Sequence, residues 1–498
     1  MADKQVSNPT YMANIRHFFT DGDKGCMAGR GIDLGTYEGV KFNALRIYFK
    51  VRDGEMPVGA PRWKKARVET FYNWMKNDYP RGIAAPKRPK AARRTDAQFK
   101  RRPARREDAA TYSGRKLAKL KTAFQALMDK PATDPDSYFA LAGLHWLPKP
   151  TVYCRHHENA YNPWQRAYMN HFEDALRRVP GCADVTLPYW DITSRRIPAF
   201  LFKPPFDSYK FPQDLYDFQG ERVAKKGDRT KRNGARHILA SLACRNVTET
   251  VETALTSSRW ELFNGWVSGN THGGIISAHD NGHNACGETM QNQDIAAFDP
   301  IFWFFHSNWD RVWWNWQRNF DAMTVDSFKS HLIGTPDWLS DPVLNGLPPF
   351  DVAVPDTINL ANFDVSYGPP KAKSKATVRQ TLKAGSVAAY RPFHIGTPNK
   401  VSVRAKNVDR LKIPGSFDVV LQVRGREIAR TGLFQSTMPS QCSTCRMKAL
   451  ANFDFEVDLA ALNGPVSLKI LLHQKGKEMN FPLTSCGSPS INARLLLT

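Results

Sequence analysis

The sequence predicts a mainly α-helical domain over 111–367 followed, after a linker, by an all-β sandwich or barrel over 386–498. Two patterns carry this expectation. FDPIFWFFHSNWDRVWWNWQ (298–317) is apolar all round a helical wheel, as in a buried core helix, and Asp299 with Pro300 reads as its N-cap and first helical residue. Beyond residue 386, KVSVRAKNV, SFDVVLQVRGREIA, FDFEVDLAAL and VSLKILLHQ alternate apolar and polar positions with period two, the mark of strands with one buried face. Between the two domains, GPPKAKSKATVRQTLKAG (368–385) is polar enough to be a linker.

Residues 1–110 read as an N-terminal extension. Within it, GVKFNALRIYFKVRDGEMPVG (39–59) alternates in polarity and predicts added strands. The net charge of +23 is concentrated between residues 61 and 121, in KRPKAARR and KRRPARRE. Such runs can attract nucleic acid or anionic surfaces. No nucleic-acid fold motif accompanies them, however, and interleaved Pro and Ala predict a solvated insert, so nucleic acid is not an expected partner. No uninterrupted apolar span is long enough to cross a membrane, and the first twenty residues lack the apolar run of a signal peptide, so the expectation is a soluble, cytoplasmic protein. Eight cysteines at irregular spacing in 498 residues do not suggest a disulfide framework.

Histidines carry the chemistry. His306 sits in the middle of the apolar helix, where an imidazole needs a partner, either a backbone carbonyl or a metal. HDNGH places His279 and His283 four residues apart, which on a helix brings their Cβ atoms to about 5–6 Å, close enough for both rings to bind one ion. His145, His156 and His157 precede another helical run. Imidazole-rich, thiolate-poor sites suit copper, zinc, iron or nickel, so ligand chemistry leaves the metal open.

The ordered motifs CRHHENAYNPWQRAYMNHFEDAL (154–176), LPYWD (187–191), HDNGH (279–283) and DPIFWFFHSNWDRVW (299–313) resemble those of the type 3 copper proteins: tyrosinases, catechol oxidases and haemocyanins. The resemblance covers about residues 112 to 320. It implies a four-helix bundle holding two copper ions, each through three histidines. His279, His283 and His306 would hold the second copper; many relatives have a histidine pair where this chain has Phe305 and His306. His145 and His156 would hold the first, but its third position is Gln165. Asn162 and Pro163 read as N-cap and first helical residue, which puts Gln165, Tyr168, Phe172 and Leu176 on one inward face. An amide oxygen is a hard ligand poorly matched to Cu(I), so a weakened first site is predicted. His157 and His171 are poorly placed to substitute, and a polar role outside the ligand set suits them better.

Further roles follow from the resemblance. Cys154 is either thioether-linked to His156 or a buried free thiol. Phe302, one turn before His306, would stand beside the second copper as a substrate-gating ring. Asp280 and Asn284 would steer phenol deprotonation, with Asp280 a candidate base, and Asp310 with Arg311 looks structural. Extended tyrosinases use their C-terminal domain as a lid whose aromatic plug covers the coppers. Phe434 is the candidate plug, with Phe453 or Phe455 as substitutes, and Cys442 with Cys445 is a candidate copper-delivery pair. The implied activity is oxidation of phenols or o-diphenols to o-quinones by O2, with phenolic small molecules as partners; self-association into a homo-oligomer is compatible with the sequence. A haemocyanin-like O2 carrier and a catalytically dead binding protein stay open beside it.

Overall fold

The computed structural model describes residues 5–28, 33–57, 61–77, 79–81, 104–148, 153–217, 220–265, 271–334, 336–341, 345–368, 400–441, 445–446 and 448–496. Residues 82–103 of the basic stretch, the linker beyond Gly368 and Cys442 therefore lie outside the described residues.

The N-terminal extension folds as helices α1 (Asp21–Ala28), α2 (Tyr37–Phe42), α3 (Ala44–Arg52) and α4 (Lys65–Lys76), not as the strands its alternation predicted. Val40, Ala44 and Val51 recur at helical spacing and are buried, while Lys41 and Lys50 stay towards solvent, so the period of 3.6 overrides the local alternation. Phe71 and Trp74 centre a small aromatic core of its own.

The helical domain begins earlier than residue 111. Strand β1 (Ala104–Arg106), at the end of KRRPARRE, runs parallel to a later strand, Val365–Tyr367. Arg106 is buried there: its guanidinium pairs with Glu173 at 2.5 Å and Asp310 at 2.9 Å. A solvated loop does not describe this end of the basic run, because two carboxylates inside the bundle need the charge. Asp310 also takes Arg166 at 2.5 Å, and Arg311 pairs with Asp191, which makes both residues structural as expected.

Four helices form the bundle: α5 (Gly114–Asp129), α7 (Tyr161–Arg178), α11 (Gly274–Cys286) and α12 (Ile301–Asn319). The shorter α6 (Tyr138–Gly143) leads into α7, while α8 (Ala235–Cys244), α9 (Val247–Ala254) and α10 (Trp260–Asn264) buttress α11. Helix α7 starts two residues before Pro163, and Asn162 donates its amide to Asn264 at 2.7 Å and does not cap. Helix α12 starts at Ile301, whose N–H bonds Asp299 Oδ1 at 3.1 Å, so Pro300 stands just outside it. Gly282 leaves room on α11 for a ring from α12: a Cβ there would lie 2.7 Å from the Phe305 ring. Strands β2 (Leu215–Tyr216) and β3 (Arg222–Ala224) form a small hairpin at the periphery.

The C-terminal part is a sandwich of two four-stranded sheets, with orders β11-β10-β7-β8 and β12-β6-β9-β4. Its own strands, after β5 (Val365–Tyr367), are β6 (Lys400–Asp409), β7 (Phe417–Val423), β8 (Arg426–Leu433), β9 (Leu450–Asp458), β10 (Val466–Gln474), β11 (Lys477–Phe481) and β12 (Ser490–Leu496). Alternate residues such as Val401, Val403, Val419, Leu421, Phe453, Phe455, Ile470 and Leu472 meet between the sheets, which is what the period-two pattern requires. Strand β4 (Thr271–His272) belongs to the helical domain, yet it pairs in parallel with β9 at Thr271↔Asn452 and His272↔Phe453. Among the described residues no helix is long and apolar enough to cross a membrane.

Candidate metal centre

Helix α11 supplies His279 and His283, one turn apart, and α12 supplies His306. The three ligand nitrogens lie within 4.8 Å of one another, and all three rings are almost fully buried. His283 Nδ1 donates to the Met290 carbonyl at 2.7 Å and His279 Nδ1 to Asp280 Oδ1 at 2.8 Å. Each bond assigns the ring proton to Nδ1 and leaves the Nε2 lone pair pointing at the shared centre. His279 Nε2 has no partner of its own, and His283 Nε2 stands 3.2 Å from His306 Nε2. Convergent lone pairs in a dry pocket repel each other unless a cation lies between them, so the donor set fits a metal.

The first cluster has a different construction. His145 follows α6, while Cys154 and His156 lie on the segment before α7. His145 Nε2 and His156 Nε2 face each other at 3.1 Å, and Cys154 Sγ is 3.5 Å from His156 Nε2. Gln165, on the inward face of α7, donates its amide N–H to Cys154 Sγ at 3.2 Å, and its Oε1 is buried without a partner. The clusters adjoin: ring centroids of His145 and His306 are 6.3 Å apart, those of His156 and His279 6.1 Å. Burial dominates the acid–base properties of all five rings and keeps them neutral, as ligands must be; His145 is lowered to about 3.

Two phenylalanines close the centre. Phe302 lies 3.9 Å from His306 and 4.9 Å from His145, ring centroid to centroid, between the clusters. Phe434, just beyond β8, stacks on His283 at 3.8 Å with 12° between planes and stands 5.5 Å from His156. The substitutes Phe453 and Phe455 face the interior of the sandwich, because their places on β9 alternate into its core.

Asp280 departs from the role of a base facing a substrate. It is fully buried and bonds His157 at 2.8 Å, His272 at 2.9 Å and His279 at 2.8 Å. Burial alone would raise its pKa, but the charge interaction and hydrogen bonds with these histidines outweigh that and hold it well below the usual carboxylate range. Asp280 therefore orients His279 from behind. Asn284 donates to Asp418 Oδ1 at 3.1 Å on β7, which turns it towards the sandwich. His157 joins Asp280 to the sandwich through Arg410 at 3.2 Å, and Arg410 also donates to Cys445 Sγ at 3.3 Å. Cys445 is thus buried behind His157, and its partner in the CSTC motif, Cys442, lies outside the described residues. His171 packs on Phe350 and takes no part in either cluster.

Sequence reasoning missed His272, Arg245 and Asp418. His272 sits on a two-residue strand that ends before α11 begins, so it shares no helix face with His279. Asp418 binds Arg245 through both oxygens, at 2.5 and 2.6 Å, across the domain interface; burial would raise its pKa, but Arg245 and His473 hold it far below the normal range.

Residues 135–319 match the family model described as the common central domain of tyrosinase. Polyphenol oxidase 4 of Agaricus bisporus is 26% identical over 268 residues, which span 41% of this chain and 44% of that protein. Hemocyanin 2 of Megathura crenulata is 26% identical over 225 residues, 43% of this chain and 6% of that protein. The chain spans about half the length of the first curated relatives it matches. A solved tyrosinase from Burkholderia thailandensis aligns with a TM-score of 0.55 at 20% identity, covering 79% of this chain and all of that one, a likeness of fold.

Proposed function

We propose that this chain, whose residues 135–319 match the common central domain of tyrosinase, is a copper-dependent oxidoreductase that converts o-diphenols, or phenols, to o-quinones with O2. Its own form is latent, with Phe434 as the plug, and its activity is impaired by Gln165. The observation that carries the reading is the seat of Phe434: an aromatic ring stacked on a ligand histidine stands where a phenol ring would have to stack.

Proteins of this family use a dinuclear copper site, and the two clusters fit it: His279, His283 and His306 on one side, His145 and His156 on the other. When bound, the copper pair supplies electron exchange between O2 and the diphenol, two diphenols losing two electrons and two protons each as one O2 becomes two waters. The chain's residues do the rest. Met290 and Asp280 fix the ring orientations of His283 and His279, and buried Phe302 excludes water between the clusters. Asn284, released from Asp418, would offer its amide to a phenolic oxygen; Asp280 keeps its proton-free state behind His279.

Latency predicts a test. In a Gln165→His background, cleavage between Gly368 and Lys400 should raise catechol oxidation strongly, because apparent affinity scales with the open fraction. Phe434→Gly should mimic the cut. If the cut chain sheds its sandwich and stays as slow as the intact one, the latency reading fails. An O2-carrier reading draws on one observation, the near-complete burial of the ligand rings, and catechol turnover after cleavage excludes it.

A further inference from the structure

The first cluster does not have to be a defective three-imidazole site. We propose that in this chain it is a thiolate metal site, with His145, His156 and Cys154 as ligands and the Gln165 amide oxygen as a weak fourth donor. The inference rests on the copper reading above and specifies what holds the ion in the first position.

Spacing is the first support. With bonds of about 2.0 Å to nitrogen and about 2.3 Å to sulfur, a tetrahedral centre has edges of about 3.3 Å between nitrogens and about 3.5 Å between nitrogen and sulfur. His145 Nε2 to His156 Nε2 is 3.1 Å, and Cys154 Sγ to His156 Nε2 is 3.5 Å. The sulfur stands as near to the metal-facing nitrogen as a third ligand would, and all three ligand atoms lie within 4.8 Å of one another.

Gln165 is the second support. Its side chain is 99% buried and reaches the same point, with Nε2 on the sulfur and an Oε1 that has no partner. A buried carbonyl oxygen without a donor is costly, and a cation beside it removes the cost. An N–H aimed at sulfur is stronger when the sulfur is a thiolate.

Charge is the third. Two imidazoles and an amide leave a divalent ion uncompensated in a dry pocket, whereas a thiolate removes one unit of charge. Binding forms the sulfur–metal bond as the S–H proton leaves to solvent, with no change of oxidation state. Two histidines, a cysteine and a weakly donating amide oxygen would make the donor set of copper sites built for one-electron transfer, not for the matched pair that O2 chemistry uses. A single substitution of histidine by glutamine therefore changes the class of the site.

The full chain, stripped of metal and titrated with Cu(II) and separately with Co(II), tests this. An intense sulfur-to-metal charge-transfer band is expected, together with two ions per chain. Cys154→Ser should abolish the band and lower the count to one, while Gln165→Leu should keep the band and shift its energy. Should Cys154→Ser not fold, X-ray absorption of the zinc-loaded natural chain decides, through a sulfur shell at about 2.3 Å. Two ions bound with no sulfur signal, or one ion bound with none, overturns the thiolate site and leaves the second cluster standing. So does an intact mass lighter by two hydrogens, with His156 cross-linked to Cys154. If His283→Ala and His306→Ala cost no metal at all, the copper reading itself has failed.

Discussion

The second cluster stands on two helices, the first on one helix and two loops, and the contrast shows how far each tolerates a lost ligand. His279 and His283 are one turn apart on α11, His306 projects from α12 against them, and Gly282 makes room for the Phe305 ring. Orientation there is set by the helix backbones, with Asp280 behind His279 and Met290 behind His283, while His306 is held by its place on α12 and the Phe302 ring against it. In the first cluster only Gln165 is helical, and the donors left are loop residues that include a sulfur. A loop-built site with an adaptable soft atom can exchange one donor set for another, which the helical site cannot do.

The sharpest way to break the contrast is to restore the missing imidazole. In the chain already cut between Gly368 and Lys400, Gln165→His should raise diphenol oxidation by orders of magnitude, because the five histidines of the two clusters already converge, and steady-state rates on catechol check it. No gain in rate would mean that the asymmetry lies elsewhere. Next in size is the clamp between domains. Arg245→Ala removes the bidentate partner of buried Asp418 and leaves Arg430 and His473 beside it, and loss of one member of a buried pair typically costs about 3–5 kcal/mol. Chemical denaturation should show that loss, and in the Gln165→His background activity should rise without proteolysis.

A third test uses pH on the metal-free protein. His145 is lowered by burial to about 3, against about 6.5 in an unfolded chain. The unfolded state therefore binds more protons between these values, so stability is full above about pH 6.5 and declines as pH falls towards 3. From pH 7 to pH 5 this one ring should cost about 2 kcal/mol, read from urea midpoints, and metal loading should protect against the decline. The smallest effect is expected at Phe302. Phe302→Ala, in the Gln165→His background, should change KM several-fold while metal content holds; lost metal with an unchanged KM would make the ring mere packing.

The sequence made the helical histidines legible because i,i+4 spacing and an all-apolar helix state their geometry directly. Strand alternation was equally readable for Val401, Val403, Phe453 and Phe455, which do meet inside the sandwich. Where reading failed, geometry was set at a distance. The segment 39–59 alternates by chance over a helical period, and Arg106 hides in a basic run because its carboxylate partners are 67 and 204 residues away. Asp280 reads as a base from its place beside His279, and only the positions of His157 and His272 turn it inwards. The plug role proposed for Phe434 comes from the resemblance; period two alone would make it one more core residue.

Strand β4 gives the sandwich a further attachment besides the chain itself and the Arg245–Asp418 clamp. Thr271 and His272 extend the outer sheet at β9, so scissors applied between Gly368 and Lys400 would remove a tether and leave a seam. Departure of the lid then becomes a dissociation equilibrium: before the cut its effective concentration is fixed by the tether, and afterwards by the concentration of the sample. A nicked chain at high concentration would stay silent and would wake on dilution, so its activation would behave like the melting of a complex rather than the throwing of a switch.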